Sequence, residues 1–175
     1  GFVFITPDDI IATQPILDDR PFASLFYIAN TELTVDAVND YAYRSSLSLG
    51  MLGLELAGDI QSVLHDVTGS SEAAGWNNQV SAGGEPTMML TLSAQHRHLS
   101  AVSQQLSTHL EANAGYSTDI NAGINWRGGR LNTPWWSFNP SHYEYIASAA
   151  TSVRGMAGGK PEFYVFAGAN IKYRF

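Results

Sequence analysis

Hydrophobic residues recur at every second position over much of this chain. Between 103 and 116, Leu106, Thr108, Leu110, Ala112, Ala114 and Tyr116 share one face, and Gln105, Ser107, His109, Glu111, Asn113 and Gly115 share the other. Between 119 and 127, Ile120, Ala122, Ile124 and Trp126 oppose Asp119, Asn121, Gly123, Asn125 and Arg127. Between 163 and 175, Phe163, Val165, Ala167, Ala169, Ile171, Tyr173 and Phe175 form the apolar row. Less pure alternation covers 22–34, 41–51 and 86–95. A period of two puts successive side chains on opposite faces of a strand, so about seven or eight strands are predicted, each with one wet and one dry face.

One stretch has a different period. At about 100° per residue, Gly58, Gln61, Ser62 and His65 fall on one side of a helix, and Leu56, Ile60, Val63 and Leu64 on the other. The apolar side is suited to dock on a protein body or a membrane. The polar side presents an imidazole, an amide and a hydroxyl around a glycine. Turn-forming residues punctuate the pattern at Thr6-Pro7-Asp8-Asp9, Asn39-Asp40 and Gly83-Gly84-Glu85-Pro86. Residues 129–141 read as a long aromatic loop over a barrel mouth or at a bilayer surface. No linker divides the chain, so residues 1–175 read as one domain.

The strand period leaves two architectures open. In a soluble sandwich or barrel the dry faces meet inside, around a core or an apolar ligand. In a transmembrane barrel they face lipid, and the polar faces line the interior. Composition favours the second. Charged residues make up 14% of the chain, against roughly 25% in ordinary globular proteins. The polar faces are built from Asn, Ser, Gly and Gln, with few lysines. Aromatics such as Phe22, Tyr41, Tyr43, Tyr116, Trp126, Tyr173 and Phe175 stand near strand ends, as interfacial girdles require. Phe175 after an alternating strand also resembles the ending of an outer-membrane barrel. The expected fold is therefore all-β, an antiparallel transmembrane β-barrel or part of one, with one short helix carrying His65.

Charge and cysteine content narrow the chemistry. A formal net charge of −7 with no basic run excludes nucleic acid as a natural partner. Without cysteine there is no disulfide framework and no thiolate metal site. No run of 18 apolar residues provides a transmembrane helix. No Gly-x-Ser-x-Gly elbow, phosphate loop or His-Glu-x-x-His run occurs.

Read alone, His65 is a helix-surface histidine. Its surroundings add a pattern: Asp19-Arg20-Pro21-Phe22-Ala23, Gly50-x-x-Gly53, Gln61-x-x-x-His65, Gly69 and Gly75-Trp76-x-x-Gln79 follow one another in order. As a set these resemble the LpxR-type lipid A deacylases, outer-membrane barrels that remove 3′-linked acyloxyacyl chains. The resemblance is good over residues 1–128 and looser beyond.

It implies calcium-dependent ester hydrolysis in the bacterial outer membrane, on lipid A of lipopolysaccharide, with His65 as general base. A neutral imidazole near pH 7 suits that task. Gln61, Ser62, Trp76 and Gln79 would line the site, with Trp76 also anchoring the loop after the helix. Glu72 stands where the family places an acidic residue after the histidine, as a calcium ligand. Asp59 and Asp66, on the helix, are further candidate calcium ligands.

Departures accompany the match. The family's Asn-Asp pair on its first strands has no counterpart in these residues. Leu54 stands where a proline is expected, and Ala73-Ala74 where a tyrosine is. The barrel is thus expected to be incomplete relative to the family, and a catalytically silent barrel is a second reading. Elsewhere, Asp19-Arg20 reads as an ion pair or loop brace inside the barrel, His96 and His98 as a pair at a strand end or in a loop, and His109 as an interior hydrogen bonder. His142 has no visible partner.

Overall fold

The computed structural model describes residues 1–71, 73–81, 83–140 and 161–175. Seven strands are found there: β1 (Phe2–Ile5), β2 (Ala23–Asp36), β3 (Tyr41–Leu52), β4 (Glu85–Ala101), β5 (Gln104–Gly115), β6 (Asp119–Arg130) and β7 (Phe163–Arg174). They form one sheet in the order β1-β2-β3-β4-β5-β6-β7. One α-helix, α1 (Leu56–Thr68), stands between β3 and β4. No described helix is long and apolar enough to cross a membrane. The chain gathers into two compact units, Gly1–Ala29 with Ser48–Met88, and Asn30–Leu47 with Met89–Phe175.

In the second unit β4, β5, β6 and β7 pair antiparallel in sequence order. The register settles the faces. Ile120, Ala122, Ile124 and Trp126 stand opposite Tyr173, Ile171, Ala169 and Ala167, while Asp119 and Asn121 stand opposite Arg174 and Lys172. The apolar row is the outer one: Leu92, Leu110, Ile120, Ile124, Val165 and Ile171 are exposed. The inner row is polar, with Thr91, Gln95, Ser107, His109, Glu111, Asn113, Asp119, Asn121, Asn125 and Arg127 all buried. The soluble reading, in which apolar faces meet inside, is thereby set aside.

Burying polar groups is costly unless they are hydrogen-bonded. Here Thr91 donates to Asn113 at 2.7 Å, and Asn113 donates to Asp119 at 2.9 Å. Lys172 reaches Asp119 at 3.6 Å. Asn125 and His109 are linked at 3.2 Å, the interior role expected of that histidine. Arg127 donates to Gln105, to Thr133 and to Glu162, and lies over the rings of Phe138 and Tyr164. The aromatic loop after β6 turns toward this polar row: Gln95 donates to the Phe138 carbonyl at 3.1 Å, and Arg97 lies over Trp135. His96 and His98 belong to β4 itself, meeting edge to face, and His96 stacks on Tyr41.

The first unit holds β1 against the start of β2, from Phe2↔Phe26 to Ile5↔Ala23. Gly53 ends β3 at a φ of +74°, donates to the Ser24 carbonyl and accepts from Gly83 and Gly84. Helix α1 follows. Its C-terminus is closed by Gly69 in the left-handed conformation, a position that favours glycine. The Asp19 carboxylate accepts the amides of Asp8 and Arg20, and Arg20 pairs with Asp8 at 2.6 Å. The pair is a loop brace, but on an exposed loop and not inside a barrel as the sequence suggests.

Candidate functional site

Helix α1 turns its small and polar side to the protein. Ala57 is fully buried, and Trp76 packs so closely on Gly58 that an added Cβ there would stand 3.3 Å from the indole. Leu56, Val63, Leu64 and Val67 are exposed, Val67 at 82%. The apolar stripe therefore faces away from its own unit. Of the two partners its sequence allows, no protein body within the first unit covers it.

On the inner side four groups form a chain of hydrogen bonds. Trp76 Nε1 donates to Gln61 Oε1 at 2.6 Å. Gln61 Nε2 lies 3.3 Å from His65 Nε2. His65 Nδ1 meets the backbone carbonyl of Ser71. An i, i+4 step on a helix puts Gln61 and His65 side by side. Gly69 turns the chain back after the helix, which lets the Ser71 carbonyl meet the ring. The carbonyl can only accept, so Nδ1 carries the proton and Nε2 is left as an acceptor. An imidazole in this state is a base.

The loop after the helix is fixed from several sides. Trp76 meets Phe22 at 5.1 Å and Phe4 at 6.0 Å between ring centroids. Gly75 faces Phe22 with no room for a side chain. Gln79 accepts from Ser24 at 3.1 Å, and Val80 donates to the Phe22 carbonyl at 2.8 Å.

The structure thus brings His65, Gln61 and Trp76 together. Gln79 braces the loop on β2 and stays outside their chain. Ser62 shares the helix face without joining it. Glu72 and His142 lie outside the described residues. The Ser71 carbonyl is the member that sequence reasoning missed, and a backbone acceptor has no signature in side-chain identities. Among the described residues no three acidic or imidazole side chains gather as a metal site.

A family model described as outer membrane protein LpxR matches residues 3–175. The chain belongs to the LpxR family. The fold agrees: LpxR from Salmonella typhimurium superposes with a TM-score of 0.76 at 15% identity, over 99% of this chain and 58% of that one. The chain thus spans little more than half the length of that relative. No curated protein matches it. An outer-membrane family and a barrel fold account together for the apolar outer rows and the polar inner ones of this chain.

Proposed function

We propose that this protein is a lipid A 3′-O-deacylase of the outer membrane, with His65 Nε2 as the general base. The observation that carries the reading is the state of that ring: Nδ1 is committed to Ser71, which leaves Nε2 the acceptor, facing the Gln61 amide. The place now taken by the Gln61 amide is the place an attacking water takes. Nε2 accepts the water's proton as its oxygen bonds to the acyl carbonyl carbon. When the tetrahedral intermediate collapses, the carbon–oxygen bond to the sugar breaks and Nε2–H returns the proton to the departing oxygen. A free acyloxyacyl acid and a sugar hydroxyl result. Proton transfer of this kind contributes about 10²–10⁴ in rate.

The exposed stripe of α1 supports a lipid substrate. A helix that sends Leu56, Val63, Leu64 and Val67 outward while holding a base on its other side is built for the boundary between hydrocarbon and head groups. Lipid ester bonds lie at that depth. Calcium dependence belongs to the same proposal through the resemblance. Calcium, when bound, would supply electrostatic stabilisation of an oxyanion.

The test is incubation of purified, detergent-solubilised protein with lipid A, followed by mass spectrometry. The wild type is expected to remove an acyloxyacyl chain, His65→Ala to leave lipid A intact, and a calcium chelator to reproduce the intact spectrum. Intact lipid A with the wild type in the presence of calcium overturns the enzymatic reading and leaves a silent barrel.

A further inference from the structure

We infer that Trp76 is a positioning residue that sets the tautomer of His65 through the amide of Gln61. The inference rests on the base role proposed above for its meaning, but its geometry stands without it.

Hydrogen-bond polarity fixes the direction of the chain. A glutamine amide is nearly symmetric in shape and can face a neighbour with its oxygen or its nitrogen. A histidine ring has the same freedom between two tautomers. Left alone, the Gln61–His65 pair could run either way. The indole N–H is a donor only, and it stands 2.6 Å from Gln61 Oε1. Gln61 must therefore turn its oxygen to Trp76 and its N–H groups to His65. Facing a donor, His65 Nε2 must be the acceptor. At the far end the Ser71 carbonyl is an acceptor only and requires Nδ1–H. Two groups that cannot reverse stand at the two ends, so the chain Trp76→Gln61→His65→Ser71 has one direction. The packing holds the donor in place: Phe22, Phe4 and Gly58 fix the indole from three sides. Replacing the indole by a ring without the N–H frees Gln61 to present its oxygen to Nε2. In that orientation a neutral ring with Nδ1–H sets two lone pairs against each other. The ring must then exchange its tautomer or gain a proton, and either change removes the base.

Nitrogen NMR of the full chain with ¹⁵N-labelled histidine, at a pH well above the ordinary histidine range, tests this. The His65 signals are assigned by their loss in His65→Asn. The wild type is expected to show Nδ1 protonated and Nε2 bare. Trp76→Phe, which keeps an aromatic ring on Phe22, is expected to give a mixture of tautomers. Gln61→Glu presents only acceptors and is expected to protonate Nε2. If Trp76→Phe fails to fold, Gln61→Glu alone decides the matter. A wild-type ring protonated on Nε2 overturns the inference. So does an Nε2 that stays bare in a folded Trp76→Phe or in Gln61→Glu.

On lipid A, Trp76→Phe is expected to lower kcat about 10–100-fold with KM unchanged, a fraction of the full general-base contribution. A rise in KM with kcat unchanged contradicts the positioning role. The failure of the base role itself would look different: the tautomer pattern would hold across the variants, with no hydrolysis by any of them.

Discussion

The two residues that settle most about this chain are Gly53 and His65. Gly53 combines a left-handed backbone with the absence of space, because an added Cβ would run into the backbone carbonyl of Ser81. Gly53→Ala is expected to destabilise the protein by about 1–3 kcal/mol, read from urea unfolding in detergent. An unchanged midpoint would contradict the account of that junction.

Asp19 gives a pH dependence. Amide hydrogen bonds from Asp8 and then Arg20 hold its carboxyl below the usual carboxylate range. Its contribution to ordering the loop is present in full above the ordinary carboxylate value and is lost as pH falls through the lowered one. Hydrogen exchange in residues 6–22 is expected to rise only at strongly acid pH, and Asp19→Asn to raise it already at neutral pH.

His65 and Gln61 were legible in the sequence, because four residues apart on an amphipathic helix means side by side. Trp76 was legible as an anchor. Its indole N–H as a donor to Gln61 was not, since the partner lies 15 residues away across a non-helical loop.

At the scale of elements, period-two stretches became strands with little change of bounds. β4 runs on past the alternating stretch to Ala101, through an irregularity between Arg97 and Leu99. The extra residue there spoils the period, which is why the sequence left His96 and His98 at a strand end or in a loop. For α1 the amphipathic pattern was right, and the surprise is which side packs. The small face, Ala57 and Gly58, admits the indole, and the apolar stripe is left outside. If that stripe rests in lipid, Val67→Asp is expected to lower hydrolysis of bilayer lipid A roughly tenfold or more, from the loss of about 1.5–3 kcal/mol of apolar burial. A water-soluble short-chain ester should be hydrolysed at an unchanged rate. Equal losses on both substrates would show damage to the site itself.

At the scale of the molecule, inside and outside are exchanged. Arg127, Asn121, Thr91, Asp119 and Ser24 are the largest fully buried side chains, while leucines, isoleucines and valines stand exposed. Such a surface is stable only against hydrocarbon. Low charge and neutral polar faces carried that message in the sequence. The pairing of inner residues, such as Asn113 with Asp119, depends on register and emerged only with the strands in place.

A charge on the outer face should therefore be costly: Ile124→Arg is expected to destabilise the membrane-inserted protein by about 2–4 kcal/mol near the bilayer midplane. Because the chain has no cysteine, a single introduced one carries a spin label without background. The most direct measurement compares labels at Ile124 and at its strand neighbour Asn125 in lipid bilayers, using oxygen as the apolar relaxant and a nickel chelate as the aqueous one. The label at 124 is expected to meet oxygen and be shielded from nickel, and the label at 125 to lose that oxygen preference. A label at 124 that nickel reaches freely, or that neither relaxant reaches, would contradict an outer face turned toward lipid.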